Sequence, residues 1–256
     1  MIFILSDSPE ACPILPGTQA VAGFDQIPEG SQVVLFSFGK LITANTLSKY
    51  EVYNVHNSLL PKYRGLHAFS WAIINGETEV GYTFHKVNEG IDSGAIGGQL
   101  HIPLAADENV NDAFAKAAQT MSGWLGTMID KLSNGELEFR EQDESQATYV
   151  GRRKAQDGEI NWNDKAENIH NLIRAVAPPY TPGAFTTFKG EPLRIKKSSL
   201  TPNPEYIGIN GQVVGRFPGK GLLIKTDDST LLIERVIFRE EEMCASELFK
   251  TVGHRF

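Results

Sequence analysis

Apolar residues follow two spacings along this chain. Short apolar runs have the length of buried strands, and between them lie stretches with an apolar residue every three or four positions. The pattern predicts strands over Ile2–Ser6, Val33–Phe38, Tyr53–His56, Gly81–Val87 and Ala95–Leu104, with short helices near Thr43–Lys49 and Ala68–Ile74. Ala113, Ala117, Met121, Leu125 and Met128 share one face of a longer helix over Val110–Leu132. Strands alternating with helices predict an α/β sheet.

A polar segment, SNGELEFREQDESQ, then reads as a linker or an edge. Beyond it the pattern predicts a helix over Asn163–Val176, with Ile169, Leu172, Ile173 and Val176 as its apolar stripe, stopped by PPYTPG. Five short strands follow, at Ala184–Lys189, Pro192–Lys197, Gly211–Phe217, Leu222–Thr226 and Thr230–Val236, then a last helix at Ala245–Lys250. That spacing predicts a small OB-like barrel. The expected organisation is a catalytic domain over residues 1–148 and a smaller β-rich domain over 149–256.

Charge strengthens the two-part reading. Up to Val150 there are 8 Lys and Arg against 18 Asp and Glu, a net −10, and the remainder carries 16 against 13, a net +3. An acidic first part disfavours extended contact with a nucleic-acid backbone. The hydrophobic share of 41% supports a core, and no apolar run approaches the roughly 20 residues a bilayer span needs. The opening MIFILSDSPE lacks the basic start of a signal peptide. Only Cys12 and Cys244 are present, which suits a reducing compartment, so the expected location is the cytoplasm, with no membrane partner.

Candidate chemistry concentrates in two segments. In YNVHNSLLPKYRG, Asn54 and His56 lie two apart on a strand, so both side chains face one way near its C-terminal end, where open α/β sheets place ligands. In HKVNEGIDSG, Asp92 lies in a glycine-bracketed loop and supplies a carboxylate able to orient His56. Each alone reads as ordinary structure, a turn former or a satisfied polar group; together they suggest a site. His67 reads as a helix cap, His85 as structural, Arg152-Arg153 as a phosphate contact or a salt bridge, and Trp71, Trp124 and Trp162 as core anchors.

Asn54-Val55-His56, Ser58-Leu59-Leu60-Pro61, Arg64-Gly65 and Glu89-Gly90-Ile91-Asp92-Ser93-Gly94 resemble the folate-dependent formyltransferases. The resemblance continues through Gly151-Arg152-Arg153, Asp157-Gly158, Ile160-Asn161-Trp162, Asn171-Leu172-Ile173-Arg174-Ala175 and Pro182-Gly183-Ala184-Phe185, and covers roughly Val33 to Phe256. It implies a mostly parallel, Rossmann-like sheet. The chain departs from the family in having only 53 residues before Asn54, so the N-terminal half of the sheet is expected to be shortened. By resemblance, 10-formyl-tetrahydrofolate is the cosubstrate and no metal is needed. Asn54, His56 and Asp92 are then catalytic: Asn54 donates to a developing oxyanion, His56 relays a proton, and Asp92 fixes the tautomer of His56 and raises its pKa. The pterin is expected against Asn88, Glu89, Gly90, Ile91 and Asp92, with Phe36, Ser37, Phe38 and Gly39 as the remaining wall. Lys40, Ser58, Lys62, Tyr63, Arg64 and Gly65 are expected around the acceptor.

For the acceptor, SLLPKYRG and the segment around Asp92 look closer to the nucleotide-sugar N-formyltransferases, whose substrate is a nucleotide-linked amino sugar used in polysaccharide biosynthesis. A methionyl-tRNA formyltransferase and a non-catalytic folate-binding module are the alternatives. The first would want a basic path to the acceptor stem, which the first 150 residues do not offer. The sequence leaves a homodimer open.

Overall fold

The structure, a computed structural model, describes residues 1–202 and 206–256. Contacts divide the chain into two units: residues 1–69, 79–103 and 114–152 form the first, and 70–78, 104–113 and 153–256 the second.

The first unit is built on six strands: β1 (Ile2–Leu5), β2 (Thr18–Val21), β3 (Gln32–Phe36), β4 (Glu51–His56), β6 (Glu79–Lys86) and β7 (Ile96–Pro103). A two-residue strand β5 (Arg64–Gly65) pairs separately with β8 (Tyr149–Val150). The sheet order is β2-β1-β3-β4-β6-β7, parallel as far as β4 and antiparallel through β6 and β7. The mostly parallel sheet matches the expectation from the strand and helix alternation. The connections at its N-terminal side are short. From β1 to β2 and from β2 to β3 the chain passes only the 3-10 turns Pro9–Ala11 and Phe24–Gln26.

Period-two alternation sorts each strand between two cores. Ile2, Ile4, Val34, Tyr53 and Val55 join Met121, Leu125, Met128 and Ile129 of a long helix. Phe3, Leu5, Val33, Leu35 and Val52 form the core of the opposite face, closed by Ile27, Phe24 and Tyr50. That helix is α3 (Val110–Ser133), preceded by α1 (Ala44–Leu47) and α2 (Ala68–Ile74). Thr43 caps α1 by accepting the Thr46 N–H.

The second unit carries α4 (Ala166–Ala175), the strands β9 (Ala184–Phe188), β10 (Glu191–Leu200), β11 (Val213–Phe217), β12 (Gly221–Lys225), β13 (Thr230–Phe238) and β14 (Glu241–Cys244), and α5 (Ala245–Leu248). These strands pair antiparallel, in the order β11-β12-β13-β10-β9 with β14 also on β13. Trp162 is a core anchor as expected, stacked on Phe256 and donating to Thr186 Oγ1. Trp71 differs from expectation: it is only partly buried, and the Arg153 guanidinium lies 4.9 Å from its ring centre. The Arg153 guanidinium thus lies against an aromatic face. No described helix is long and apolar enough to cross a membrane.

Candidate active site

On β4 the alternation that sends Tyr53 and Val55 into the α3-side core leaves Val52, Asn54 and His56 on the other face. The antiparallel register sets His85 opposite Asn54 and Thr83 opposite His56. The loop after β6 brings Asp92 to the same place, with a left-handed φ of 48°. An aspartate tolerates that conformation better than most residues, but it persists only where the surroundings fix it.

Asp92 is the hub. Its Oδ2 accepts the Gly65 backbone N–H at 2.8 Å and lies 3.5 Å from His56 Nδ1, while its Oδ1 lies 3.6 Å from His85 Nε2. Burial raises the pKa of this carboxyl, but the bond to His85, the attraction of both imidazoles and the Gly65 N–H outweigh it and bring the value down to about 2. Asp92 is therefore ionised at neutral pH.

His56 is 6% exposed. Its Nε2 is 3.0 Å from the Tyr63 carbonyl, an atom that can only accept, so Nε2 carries the proton and Nδ1 holds the lone pair of the neutral ring. The tautomer is thus fixed by backbone, where the sequence pointed to Asp92. Burial lowers the His56 pKa, and it outweighs the upward pull of Asp92 and the Tyr63 bond. Asp92 does pull the His56 pKa upward as expected, but desolvation of the cation exceeds its attraction to one carboxylate and sets the net direction. The result is a neutral base whose Nδ1 edge faces an anion able to stabilise the imidazolium it forms.

Asn54 Nδ2 reaches Asp92 Oδ1 at 3.5 Å and His85 Nε2 at 3.4 Å. Both contacts are at the long limit, so the amide hydrogens are weakly engaged. His85, read from the sequence as structural, donates from Nδ1 to the Lys86 carbonyl at 2.7 Å, which turns Nε2 toward Asn54 and Asp92. Only the strand pairing reveals it.

A brace holds the Asp92 loop. Gln142 Nε2 donates to the Asp92 and Gly94 carbonyls, both at 2.8 Å, and its Oε1 accepts from Arg64 Nη2 at 2.7 Å. Arg64 also bonds Glu144 at 2.6 and 2.9 Å and Tyr149 Oη at 2.7 Å. This corrects the expectation for Arg64. It is 0% exposed and its donors are engaged within the protein, so it ties segment 140–150 to the loop instead of meeting a substrate. Ser58, bonded to the Lys62 carbonyl, and Tyr63, whose N–H bonds Thr148, are likewise interior turn residues, and the Gly65 N–H is used on Asp92. Lys40 and Lys62 are the two expected acceptor-site residues that remain exposed.

The expected folate wall also divides. Ser37 has a left-handed φ of 52°, which breaks the alternation, so Phe36 packs with the α3-side core and Phe38 with the opposite one. The Gly39 N–H is tied to Asp7 at the end of β1. In the second loop Asn88 Oδ1 accepts from Gly90 N and Ser93 Oγ, leaving Glu89 and Gly90 exposed and Ile91 54% exposed.

Comparison with known proteins places the chain in a family. Models of a formyl transferase and of a formyl transferase C-terminal domain match residues 25–129 and 152–253. The chain is 37% identical over 235 residues to a methionyl-tRNA formyltransferase of Synechococcus sp. (strain JA-3-3Ab), spanning 87% of this chain and 72% of that one. Among solved structures it is similar to an N-formyltransferase from Helicobacter canadensis in complex with folinic acid and dTDP-3-aminofucose, with a TM-score of 0.65, 21% identity, and 91% and 98% of the two chains covered. It is also similar to HypX from Aquifex aeolicus, with a TM-score of 0.67 and 16% identity over 97% of this chain. The chain spans about half of HypX, 48% of its length. At these identities the two solved structures show the fold.

Proposed function

This chain belongs to the folate-dependent formyltransferase family, and on that premise we propose that Asn54, His56 and Asp92 carry formyl transfer from 10-formyl-tetrahydrofolate to the primary amine of a nucleotide-linked amino sugar. The observation that supports it is an ionised carboxylate with an amide donor and a neutral buried imidazole each 3.5 Å from it, in the first unit. The catalytic part is assigned to residues 1–148 and the smaller domain to 149–256.

The folate supplies the formyl carbon. The loop over Asn88–Asp92 suits it, because Glu89 and Gly90 are exposed and the apolar Ile91 side chain lies open to a flat ring. Asn54 Nδ2 donates to the formyl oxygen as negative charge gathers there. His56 Nδ1 takes the proton of the attacking amine and returns it to the leaving nitrogen. Asp92 stabilises the imidazolium between those two transfers. Gln142 acts through Asp92. Gln142→Ala is expected to lower kcat about tenfold, since small misplacements at a reacting centre cost that much or more. Unchanged kcat in this variant would remove Gln142 from the mechanism.

For the acceptor, the net −10 up to Val150 favours a molecule with few phosphates, and Lys40 and Lys62 are exposed cations near the site segments. The 37% identity to the Synechococcus enzyme supports a second reading, formyl transfer to methionyl-tRNA. Formyl transfer measured with both acceptor classes decides between them. The first reading expects a mass gain of one formyl group on the amino sugar, with thermal protection by the nucleotide sugar and none by tRNA. Salt-sensitive, sub-micromolar binding and formylation of methionyl-tRNA would install the second.

A further inference from the structure

The second unit contains a cavity of about 280 Å³ that the reaction above does not use. Its wall carries four cations, Arg174, Lys196, Lys197 and Arg235, against two carboxylates, Asp107 and Glu242. Lys196 and Arg235 share Glu242, at 2.5 and 3.1 Å, and Lys197 leans to Glu234 at 3.3 Å. Arg174 is different. It is 7% exposed and makes no carboxylate ion pair among the described residues. Its Nε donates to Asn171 Oδ1 at 2.9 Å and its Nη1 to the Glu108 carbonyl at 3.1 Å, both neutral acceptors.

Arg174 Nη2 has no hydrogen-bond partner among the described residues, and no fully buried side-chain nitrogen lacks one. Nη2 therefore reaches the cavity surface. A buried guanidinium without a counter-charge is costly, and an anion beside it recovers that cost. Burial indeed lowers the Arg174 pKa, against the weaker upward pull of Glu167. His170 completes the wall in a neutral state: its Nε2 donates to the Ala106 carbonyl, which makes Nδ1 the acceptor of the Ser198 hydroxyl. It adds no charge of its own, and the cations outnumber the carboxylates.

We propose that this cavity binds a phosphate group, with Arg174 Nη2 as its deepest donor and Lys196 and Arg235 turning from Glu242 to complete the site. A guanidinium suits a tetrahedral oxyanion through two parallel N–H bonds. The volume lies at the small end of ligand pockets, about 300–1,000 Å³, and fits inorganic phosphate or the phosphate of a small ester.

The test is calorimetric titration of the full chain with inorganic phosphate, then with a nucleoside diphosphate, at low salt. Arg174 carries structural bonds, so the first variant is Arg235→Ala, whose side chain is 42% exposed, followed by Arg174→Lys. Saturable phosphate binding that weakens about tenfold in Arg235→Ala and survives Lys62→Ala, a first-unit residue outside this cavity's lining, supports the site. A nucleoside diphosphate that displaces phosphate and loses affinity in the same variant identifies an ester as the ligand, and one that does not compete identifies the free anion. No binding at 10-millimolar-order phosphate, or binding unchanged by both Arg235→Ala and Arg174→Lys, overturns the proposal.

Discussion

Asn54→Ala is expected to lower kcat by about a hundredfold or more while the protein stays folded. The amide is an uncharged side-chain donor beside the His56 and Asp92 pair, and its contacts there are 3.4 and 3.5 Å long. A substrate oxygen gathering charge can therefore draw it in without breaking a short bond. The loss belongs to kcat, because the donor is worth most when the oxygen is most negative. Turnover measured with both substrates saturating is the readout, and circular dichroism shows whether the fold survives. Near-normal turnover in a folded variant would strike Asn54 from the reaction.

Asp92→Asn is expected to lower kcat by a similar factor and to move the acid limb of the pH profile toward lower pH. Burial and Asp92 push the His56 pKa in opposite directions, and burial prevails. Removing the carboxylate leaves burial acting with less opposition, so the pKa falls further. Since the neutral ring is the working base, the variant keeps that base unprotonated to more acid pH even as its rate drops. An acid limb that stays fixed or rises would show that another group titrates. Stability carries a second signature. A carboxyl whose pKa is lowered to about 2 in the folded protein stabilises it above the unfolded value of about 3.9, and this is lost as pH falls toward 2. The stability gap between wild type and Asp92→Asn therefore narrows below about pH 4.

The sequence made the periodic features legible. The span of α2 was predicted residue for residue, and α3 to within one residue at its end, because both carry strong 3.6-residue patterns. The pairing of Asn54 with His56 on one face followed from strand geometry alone. What escaped depends on contacts distant in sequence or on single dihedral angles. Strand β2 buries only Val21, and β14 is mostly polar, so neither shows an apolar signature. His85 enters the site through a register with a strand 31 residues away. Arg64 looked like a substrate ligand because its partners Gln142 and Glu144 lie 78 and 80 residues further on. The φ of Ser37 sends two phenylalanines to opposite cores, and no local pattern announces it.

The hydrogen bond from His56 to position 63 ends on a main-chain oxygen. Every amino acid supplies that atom, so no codon change at 63 can delete it. The protonation pattern of the ring is in this sense heritable without depending on the identity of its partner. With φ at 59°, the residues whose backbone best keeps that oxygen in place are glycine and asparagine, so replacements at position 63 should lose the ring's protonation pattern in the order of left-handed propensity, separately from the packing lost with the buried tyrosine side chain.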